Sequence, residues 1–496
     1  MSSSTKPDNL ALDPSDKGQH FRDTISTISA EGRRNWLYPR KPRGWYYNVR
    51  SVVSWVLIGF LFAGPFIKIN GQPIILLNIL DRKFVLFGTV FWTQDFHILA
   101  IGMLALIIFI VLFTAIYGRL FCGWVCPQTI FMEMLFRKIE YAIEGDAPDQ
   151  KRLNRSPLTF QKIMKKGAKL GIFFGISFLI ANIFLAYIIG ADALWEIVTD
   201  DPREHLTGLT AITLFSFAFF GVFSRFREQV CIVACPYGRL QSVLVDNSSI
   251  AVTYDFARGE DRALLNVRQK EKRDSGAVFF TNNDKADPAR KYGDCIDCYQ
   301  CVKVCPTGID IRNGIQLECI NCTACMDACD EIMVKTDRPT GLVRYASFNS
   351  IKEGIKTRLV TPRIAGYMVL FTIVFGVFVY FLGNRPDAEA VILREPGRTW
   401  NALPGGAYSN FYNVKIFNKT LHDQPVEVRL LRPDGEIQPL GMPDNLLAHD
   451  LAEGRFMVFL HGSELLPGRT PIEFGLYSGD RLIHSVPSVF IGPQSP

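Results

Sequence analysis

Two cysteine-rich segments decide the fold of this chain: CIDCYQCVKVCP at residues 295–306 and CINCTACMDAC at residues 319–329. Eight of the 12 cysteines of the chain fall within these 35 positions. Each segment has the spacing C-x2-C-x2-C-x3-C, in which three close thiolates hold one 4Fe-4S cluster and the fourth thiolate ligates the second cluster. The spacing therefore predicts an inserted ferredoxin-like α+β domain that binds two 4Fe-4S clusters.

The same spacing predicts crossed ligand sets. We expect cluster 1 to be held by Cys295, Cys298, Cys301 and Cys329, and cluster 2 by Cys319, Cys322, Cys325 and Cys305. Pro306 follows Cys305, as the ferredoxin pattern requires, whereas Asp330 stands where the second segment would carry its proline. We therefore expect the chain to leave the second segment with a different local geometry.

Zinc sites and disulfides are the other interpretations of clustered cysteines. Structural zinc is usually held by two separated C-x2-4-C pairs, whereas three cysteines at successive x2 gaps wrap the chain around one cluster. Disulfides are rare in reducing compartments, and the topology argued below puts all the cysteines on the cytoplasmic side. The spacing favours iron–sulfur clusters over both.

Composition predicts a membrane protein with more than one domain. The chain has 496 residues, of which 48% are hydrophobic, and a mean hydropathy of +0.13. About twenty apolar residues suffice for a helix to cross the hydrocarbon core of a bilayer. Five runs approach or exceed this length, at residues 52–67, 96–118, 170–191, 205–224 and 364–384. We predict a bundle of five transmembrane helices in membrane lipid.

The distribution of basic residues predicts the orientation of these helices. Residues 1–50 carry nine Lys and Arg and show no cleavable signal pattern, and residues 119–169 carry ten. The connections at residues 68–94 and 192–204 carry only three and one. Because cytoplasmic loops are enriched in Lys and Arg, we expect a multi-pass protein of the bacterial inner membrane. Its N-terminus and ferredoxin domain would be cytoplasmic and its C-terminal domain periplasmic.

The C-terminal tail differs in character from the rest of the chain. It contains short alternating segments, among them NFYNVKIFN and RFMVFLH, separated by turns such as PDG and SGD. Regular short strands with turn signals predict an immunoglobulin-like β-sandwich. The expected division is residues 1–50, an N-terminal segment; 51–250, four helices; 251–363, the ferredoxin-type domain; 364–384, the fifth helix; and 385–496, the β-domain.

A second set of cysteines forms an internal repeat. The segments GRLFCGWVCP (118–127) and VCIVACPYG (230–238) follow the second and fourth apolar runs, and each contains C-x3-C-P. If the two helices pack together, Cys122, Cys126, Cys231 and Cys235 converge near the membrane surface. Four soft thiolates could hold Cu(I), zinc or a further iron–sulfur cluster, or act as a redox dithiol relay. Inert buried thiols are the alternative, but repetition of the unit argues against it.

The combination of five spans, paired C-x3-C-P units, the eight-cysteine insert and a β-rich tail resembles the CcoG family, also called FixG or RdxA. That resemblance covers nearly the whole chain. It implies an accessory protein for assembly of cbb3-type cytochrome c oxidase, acting as a cupric reductase that converts Cu(II) to Cu(I). The partners it implies are oxidase assembly factors and copper chaperones or transporters. By motif match, Cys122, Cys126, Cys231 and Cys235 would form the reactive thiol site.

Two other functions stay open at this point. A quinol-oxidising subunit of the kind found in the related NapH proteins would need a quinone pocket, and a non-redox assembly scaffold would act through its β-domain. The spacing of the second set favours a relay or a soft metal site over a third cluster. The electron donor and a homodimer are left open, and since topology accounts for the basic residues, no nucleic-acid partner is expected.

Overall fold

The computed structural model describes residues 27, 34–69, 71–79, 83–92, 95–201, 203–265, 292–397, 400–404, 406–420, 422–441, 445–448 and 451–494. Two compact units divide the chain. The cysteine unit comprises Met1–Gly64, Leu104–Ala186 and Ala191–Ile373, and the β-unit comprises Pro65–Met103, Tyr187–Gly190 and Val374–Pro496. The division into five segments stays a prediction, and residues 1–26, 28–33 and 266–291 of its first and third segments lie outside the described residues.

Helices make up most of the cysteine unit. In chain order the α-helices of the described residues are α1 (Trp45–Ala63), α2 (Phe96–Tyr117), α3 (Leu120–Trp124), α4 (Pro127–Ile130), α5 (Arg137–Glu144), α6 (Ala147–Arg155), α7 (Phe160–Ile189), α8 (Ala191–Thr199), α9 (Leu206–Gly221), α10 (Pro236–Leu244), α11 (Phe256–Gly259), α12 (Gln300–Lys303), α13 (Ala324–Lys335), α14 (Phe348–Glu353) and α15 (Pro362–Gly383). Single π-helical turns occur at Phe131–Phe136, Val222–Phe226 and Val230–Ala234.

Five helices of the described residues are long and apolar enough to cross a membrane: α1, α2, α7, α9 with its following π-turn, and α15. All five predicted runs fall on them. Two of these helices begin earlier than their apolar run, α1 at Trp45 and α7 at Phe160. The polar residues that extend them have buried partners, which hydropathy alone does not register.

The first turn of α1 is capped from a distant part of the chain. The backbone N–H groups of Tyr46 and Tyr47 donate to the Asp327 carboxylate, at 3.1 and 2.8 Å. This carboxylate satisfies donors that have no partner within the helix and complements its dipole. A Cβ at Gly44 would lie 2.3 Å from the Asp327 side chain, and the backbone there has φ +149°, which favours glycine.

The early start of α7 is explained by ion pairs. Lys169 contacts Glu140 at 3.2 Å and Glu144 at 2.7 Å, and Lys166 contacts Glu144 at 2.9 Å. Arg227 reaches the same Glu140 at 2.9 Å. The basic residues ahead of the apolar run therefore continue the helix because their charges are compensated by α5.

A small α+β domain carries the eight clustered cysteines. Strand β6 (Ala251–Tyr254) pairs antiparallel with β7 (Val343–Ala346), and the cysteine segments with α12 and α13 lie between them in sequence. One buried core joins the strands to the cysteines; it includes Val252, Tyr254, Ile309, Ile311, Met326, Met333 and Val343. The ferredoxin-like α+β architecture is confirmed.

Strands dominate the β-unit. They are β1 (Lys68–Ile69), β2 (Gln72–Pro73), β3 (Ile75–Asn78), β4 (Lys83–Leu86), β5 (Thr89–Phe91), β8 (Ala388–Arg394), β9 (Asn401–Leu403), β10 (Ala407–Asn418), β11 (Gln424–Pro425), β12 (Glu427–Arg432), β13 (Glu436–Leu440), β14 (Asn445–Leu446), β15 (Leu451–His461), β16 (Arg469–Ser478) and β17 (Arg481–Ile491). One antiparallel sheet has the order β13-β15-β10-β8, with β9 beside β10, and another has the order β12-β16-β17. Side chains from both sheets share one apolar core. The β-rich tail is confirmed; its immunoglobulin-like arrangement stays a prediction.

The connection between α1 and α2 is more than a loop. Strands β3, β4 and β5 form an antiparallel sheet, and Trp92 packs against Phe417 of β10 with ring centroids 5.4 Å apart. Asp95 binds Arg385 and Lys419, each at 2.6 Å. In the sequence this stretch is recognisable only as a connection, because its strands are too short to give a period-2 signal.

Candidate metal centre

The two cysteine segments share one backbone conformation. Asp297 and Tyr299 in the first segment have φ of 54° and 56°, and Asn321 and Thr323 at the equivalent positions of the second have 53° and 65°. Left-handed backbone is uncommon for residues other than glycine and is an outlier for a β-branched residue such as Thr323. Such residues cluster at ligand-binding sites, where successive N–H groups can line a concave anion site. Each segment therefore wraps one side of a site in the same way.

Two cavities lie against these segments. The first is lined by Cys295, Cys298, Cys301 and Cys329, and the second by Cys305, Cys319, Cys322 and Cys325 together with Cys301. The structure thus brings together the members of each crossed set, cluster 1 at the first cavity and cluster 2 at the second. Ligation itself stays a prediction.

The donor set fits a 4Fe-4S cluster at each cavity. A single zinc ion needs its thiolates about 2.3 Å from one point, and within the described parts of the chain no three Cys, His, Asp or Glu side chains lie close enough to hold one ion. The thiols instead surround a larger space among apolar side chains. A bound 4Fe-4S cluster stores and passes on single electrons there.

Asp330 explains how the two segments end differently. In the first segment α12 ends at Lys303, before Cys305 and Pro306, whereas α13 continues through Cys329 and Asp330 to Lys335. A proline at position 330 would interrupt that helix. The Asp330 carboxylate accepts a hydrogen bond from the Gly341 N–H at 2.8 Å, so it anchors the loop that follows.

The two C-x3-C-P units are built alike. Cys122 lies in α3 and Cys231 in the π-turn Val230–Ala234, while Cys126 and Cys235 are the residues directly before α4 and α10. Proline at the first position of each helix has a preset φ and loses no hydrogen bond. Cys126 and Cys235 lie close enough to Cys122 to raise its pKa electrostatically, and Cys122, Cys126 and Cys235 act on Cys231 in the same way. These four residues are called the four-thiol site.

Burial controls the protonation of this site. Burial is the largest cause of a pKa raised to about 11 at Cys122 and to about 12 at Cys231, and the neighbouring thiols act in the same direction. The Gln241 side chain partly opposes this at Cys122, where its Nε2 lies 3.2 Å from the sulfur. Both thiols therefore carry protons at neutral pH, and a metal ion that binds them displaces these protons.

The first C-x3-C-P loop directly contacts the cysteine segment of cluster 2. A Cβ at Gly123 would lie 2.3 Å from the Ile320 carbonyl oxygen and 3.0 Å from the Asn321 backbone. Trp124 donates from Nε1 to the Tyr345 hydroxyl at 3.2 Å, and that hydroxyl donates to the Asn321 carbonyl at 3.4 Å. Ile320 and Asn321 lie between Cys319 and Cys322, so the four-thiol site and cluster 2 share a backbone contact.

Sequence reasoning missed three residues of this junction. Gly123 permits the contact, Arg50 donates from Nε to the Gly123 carbonyl at 2.7 Å, and Arg119 donates to the Gly238 carbonyl at 2.6 Å. In the sequence both arginines are recognisable only as members of the basic stretches that indicate the orientation of the membrane helices. One available signal was the difference between the loops, because Gly123 stands where the second loop has Ile232.

Three protein families match parts of the chain. A 4Fe-4S dicluster domain matches residues 226–348, a 4Fe-4S binding domain matches residues 99–143, and a domain described as an IG-like fold at the C-terminus of FixG matches residues 378–493. The first match contains the eight clustered cysteines with Cys231 and Cys235, and the second contains Cys122 and Cys126. The matches support iron–sulfur clusters, and they give no support to a copper site.

Similar proteins extend over most of the chain. The nitrogen fixation protein FixG of Rhizobium meliloti is 34% identical over 445 residues, which cover 81% of each chain. Protein RdxA of Cereibacter sphaeroides is 31% identical over 407 residues, 79% of this chain and 81% of the relative. The crystal structure of a FixG-related protein from Vibrio parahaemolyticus matches 21% of this chain and 95% of its own, with 20% identity and a TM-score of 0.17, too low to support an argument. This membrane chain belongs to the FixG/RdxA family of iron–sulfur electron-transfer proteins.

Proposed function

We propose that this protein is a cupric reductase. Its ferredoxin-type domain delivers one electron to each Cu(II) ion, and the four-thiol site receives the product, Cu(I), for copper delivery to cbb3-type cytochrome c oxidase during assembly. The electron comes from an external low-potential donor. Reduction of Cu(II) to Cu(I) consumes this electron and no proton.

One observation carries the proposal: the contact of Gly123 with the Ile320 carbonyl, which joins the four-thiol site to the segment of cluster 2. Thiolates are soft ligands and select Cu(I). A one-electron couple changes its equilibrium constant tenfold per 59 mV, and low-potential ferredoxin clusters reach about −400 mV, so transfer from such a cluster to Cu(II) is strongly downhill. The contact between Gly123 and the Ile320 carbonyl then determines which acceptor receives the electron.

Metal analysis of anaerobically purified protein tests this proposal. The Cys122→Ser, Cys231→Ser double variant is compared with the parent protein for iron content, copper binding and reduction of Cu(II). We expect about eight irons per chain in both proteins, the content of two clusters, with copper reduction lost in the variant. About twelve irons in the parent and eight in the variant would assign the four thiols to a third cluster instead, an outcome that the family match at residues 99–143 favours.

We also propose an inner-membrane topology with the N-terminus and the ferredoxin-type domain in the cytoplasm and the C-terminal β-domain, residues 385–496, in the periplasm. It is supported by 19 Lys and Arg in residues 1–50 and 119–169 against four in residues 68–94 and 192–204. A reporter fused after Pro496 that works only when exported should be active. An active cytoplasmic reporter at the same point would contradict the periplasmic assignment of the β-domain and the five-span topology.

A second candidate function is quinol oxidation, and one cavity favours it. A pocket of about 460 Å³ is lined by Arg119, Gln241 and Cys319, within the range of small-molecule sites. The pocket borders the cysteine segment at residues 319–329 and also Gln241, whose side chain contacts Cys122. Anaerobic addition of a soluble quinol should bleach the cluster absorbance if this function operates, and a Gln241→Leu variant should slow it. No bleaching by the quinol would exclude this candidate.

A further inference from the structure

Two arginines at the junction hold their charge without a carboxylate partner. Arg50 is 3% exposed and donates to the carbonyl oxygen of Gly123, and Arg119 donates to the carbonyl oxygen of Gly238. Within the described chain neither guanidinium forms an ion pair. Arg50 is buried and Arg119 is partly buried, and neither has a carboxylate within ion-pair distance among the described residues, although Arg119 acts electrostatically on Glu318.

Each of these arginines borders cluster 2. Arg50 and Cys322 line one small cavity, and Arg119 and Cys319 line a larger and more open one. Arg50 Nη2 is buried and has no hydrogen-bond partner among the described residues. Glu133 lines the same cavity as Arg50, but it pairs with Arg137 at 3.0 Å, and Glu318 in the cavity of Arg119 lies beyond ion-pair distance. Arg50 Nη2 is therefore a buried donor without a partner in a cavity that Cys322 also lines.

The charge around cluster 1 is arranged differently. Arg312 lines the first cavity with Cys301, but its guanidinium is bound by the Asp310 carboxylate at 2.6 Å and by Asp297. Two carboxylates therefore face one guanidinium. Asp330, next to the ligand Cys329, adds a further carboxylate to this side.

This difference has a direct redox consequence. Reduction adds negative charge to a cluster, and net charge and hydrogen bonds to the sulfur atoms set its potential. An uncompensated guanidinium stabilises the reduced form, whereas a guanidinium outnumbered by carboxylates does not. We propose that Arg50 and Arg119 are positioning residues that make cluster 2 easier to reduce than cluster 1, so that an electron held by the domain resides beside the four-thiol site.

The proposal concerns the order of two reduction potentials and holds whether or not copper is the acceptor. It is tested by redox titration of the full-length protein, purified anaerobically, with each cluster followed by electron paramagnetic resonance. A Cys329→Ser and a Cys322→Ser variant assign the two signals. We expect cluster 2 to titrate at the higher potential in the parent protein.

The decisive variant is Arg50→Gln. We expect it to lower the potential of cluster 2 by at least 59 mV and to leave the potential of cluster 1 unchanged. For a one-electron couple this changes the equilibrium distribution of the electron between the two clusters at least tenfold in favour of cluster 1. Arg50→Lys, which restores the charge, should recover most of the difference. A purely structural role for Arg50 would not predict this rescue, because a lysine lacks the Nε–H that holds Gly123.

Two further variants complete the test. Arg119→Gln should also lower the potential of cluster 2 relative to that of cluster 1. If the Arg50→Gln protein loses iron, the result for Arg119→Gln tests the proposal in its place. Arg312→Gln is the matched control at the other cavity, where it leaves Asp310 and Asp297 uncompensated and should lower the potential of cluster 1 instead. If Arg50→Gln and Arg119→Gln leave the difference between the two potentials unchanged, or move both clusters equally, the proposal is wrong.

Discussion

Different interactions stabilise the interior of the cysteine unit and the interior of the β-unit. All 12 cysteines of the chain lie in the first and none in the second. In the β-unit, Tyr412, Phe456 and Phe474 are fully buried, with ring centroids 5.2 to 5.6 Å apart. The core of the ferredoxin-type domain instead includes the cysteines themselves. The β-unit can therefore complete its core from its own side chains, whereas the cysteine unit depends on what its thiols bind.

Breaking a ligand set should have the largest effect. Cys329→Ser removes the most distant member of the cluster 1 set, so we expect about four of eight irons to be lost, although the other members precede it by about thirty positions. Iron analysis and paramagnetic resonance measure this. Loss of the cluster at Cys319, Cys322 and Cys325 instead would refute the crossed assignment, and protease resistance of the β-unit should stay unchanged.

In the β-unit the largest effect is expected at Asp95. Asp95→Asn leaves Arg385 without its buried carboxylate and Lys419 with only Glu389, and breaking such a pair costs about 3 kcal/mol or more. Hydrogen exchange of the β10 amides measures the loss, and iron content should not change. Arg481→Gln removes an exposed partner of Asp387 and is the control, with little expected effect.

The ion pairs of Asp95 with Arg385 and Lys419 also predict that the β-unit loses stability in acid. Burial alone would raise the pKa of Asp95, but hydrogen bonds from Arg385 and Lys419 hold this pKa below its ordinary value of 3.8. A lowered folded pKa means that this stabilisation is complete above pH 3.8 and is lost as the pH falls through the folded pKa. Asp95→Asn should lack this part of the acid sensitivity; equal sensitivity in both proteins would contradict the assignment.

A smaller effect is expected where the two cysteine sets meet. Gly123→Ala places a methyl group against the Ile320 carbonyl, and overpacking of this kind costs about 1–3 kcal/mol. We expect slower electron transfer to an acceptor at the four-thiol site, with iron content retained, measured by stopped-flow absorbance after rapid reduction. Gly167→Ala in α7, where no atom lies within 4 Å of an added Cβ, is the control. Equal rates in both variants would show that the contact is not needed.

The smallest effect is expected at the surface of the β-unit. Lys415 and Glu453 form an ion pair across β10 and β15, with side chains 53% and 59% exposed. Glu453→Gln should change the stability of the β-unit by less than about 1 kcal/mol. A larger loss in hydrogen exchange would mean that surface charge contributes more to this unit than its apolar core suggests.

Local patterns in the sequence predicted most of the architecture. The C-x2-C-x2-C-x3-C spacing predicted which cysteines line each cavity, because ligand spacing is a property of neighbouring residues. Charge-free runs predicted the five long helices, and alternating segments predicted strands β10, β12, β15, β16 and β17. All these signals have a short period and repeat along the chain.

What the sequence did not predict depends on partners far apart in the chain. Arg50 and Gly123 are 73 positions apart, and Trp92 packs on a residue of a strand that follows four more candidate membrane-spanning helices. The early start of α1 needs Asp327. A polar residue at a helix end is assigned to solvent by hydropathy unless its distant partner is known, so these contacts leave no local pattern.

The cap that Asp327 places on α1 also constrains the order in which the chain can fold. The ribosome delivers α1 long before its capping carboxylate, which follows 281 residues later, between Cys325 and Cys329. Until the second cysteine segment has folded, the N–H groups of Tyr46 and Tyr47 have no carboxylate to which they can donate. The first turn of this early helix is therefore completed late in biosynthesis, and its completion reports that the second cysteine segment has folded.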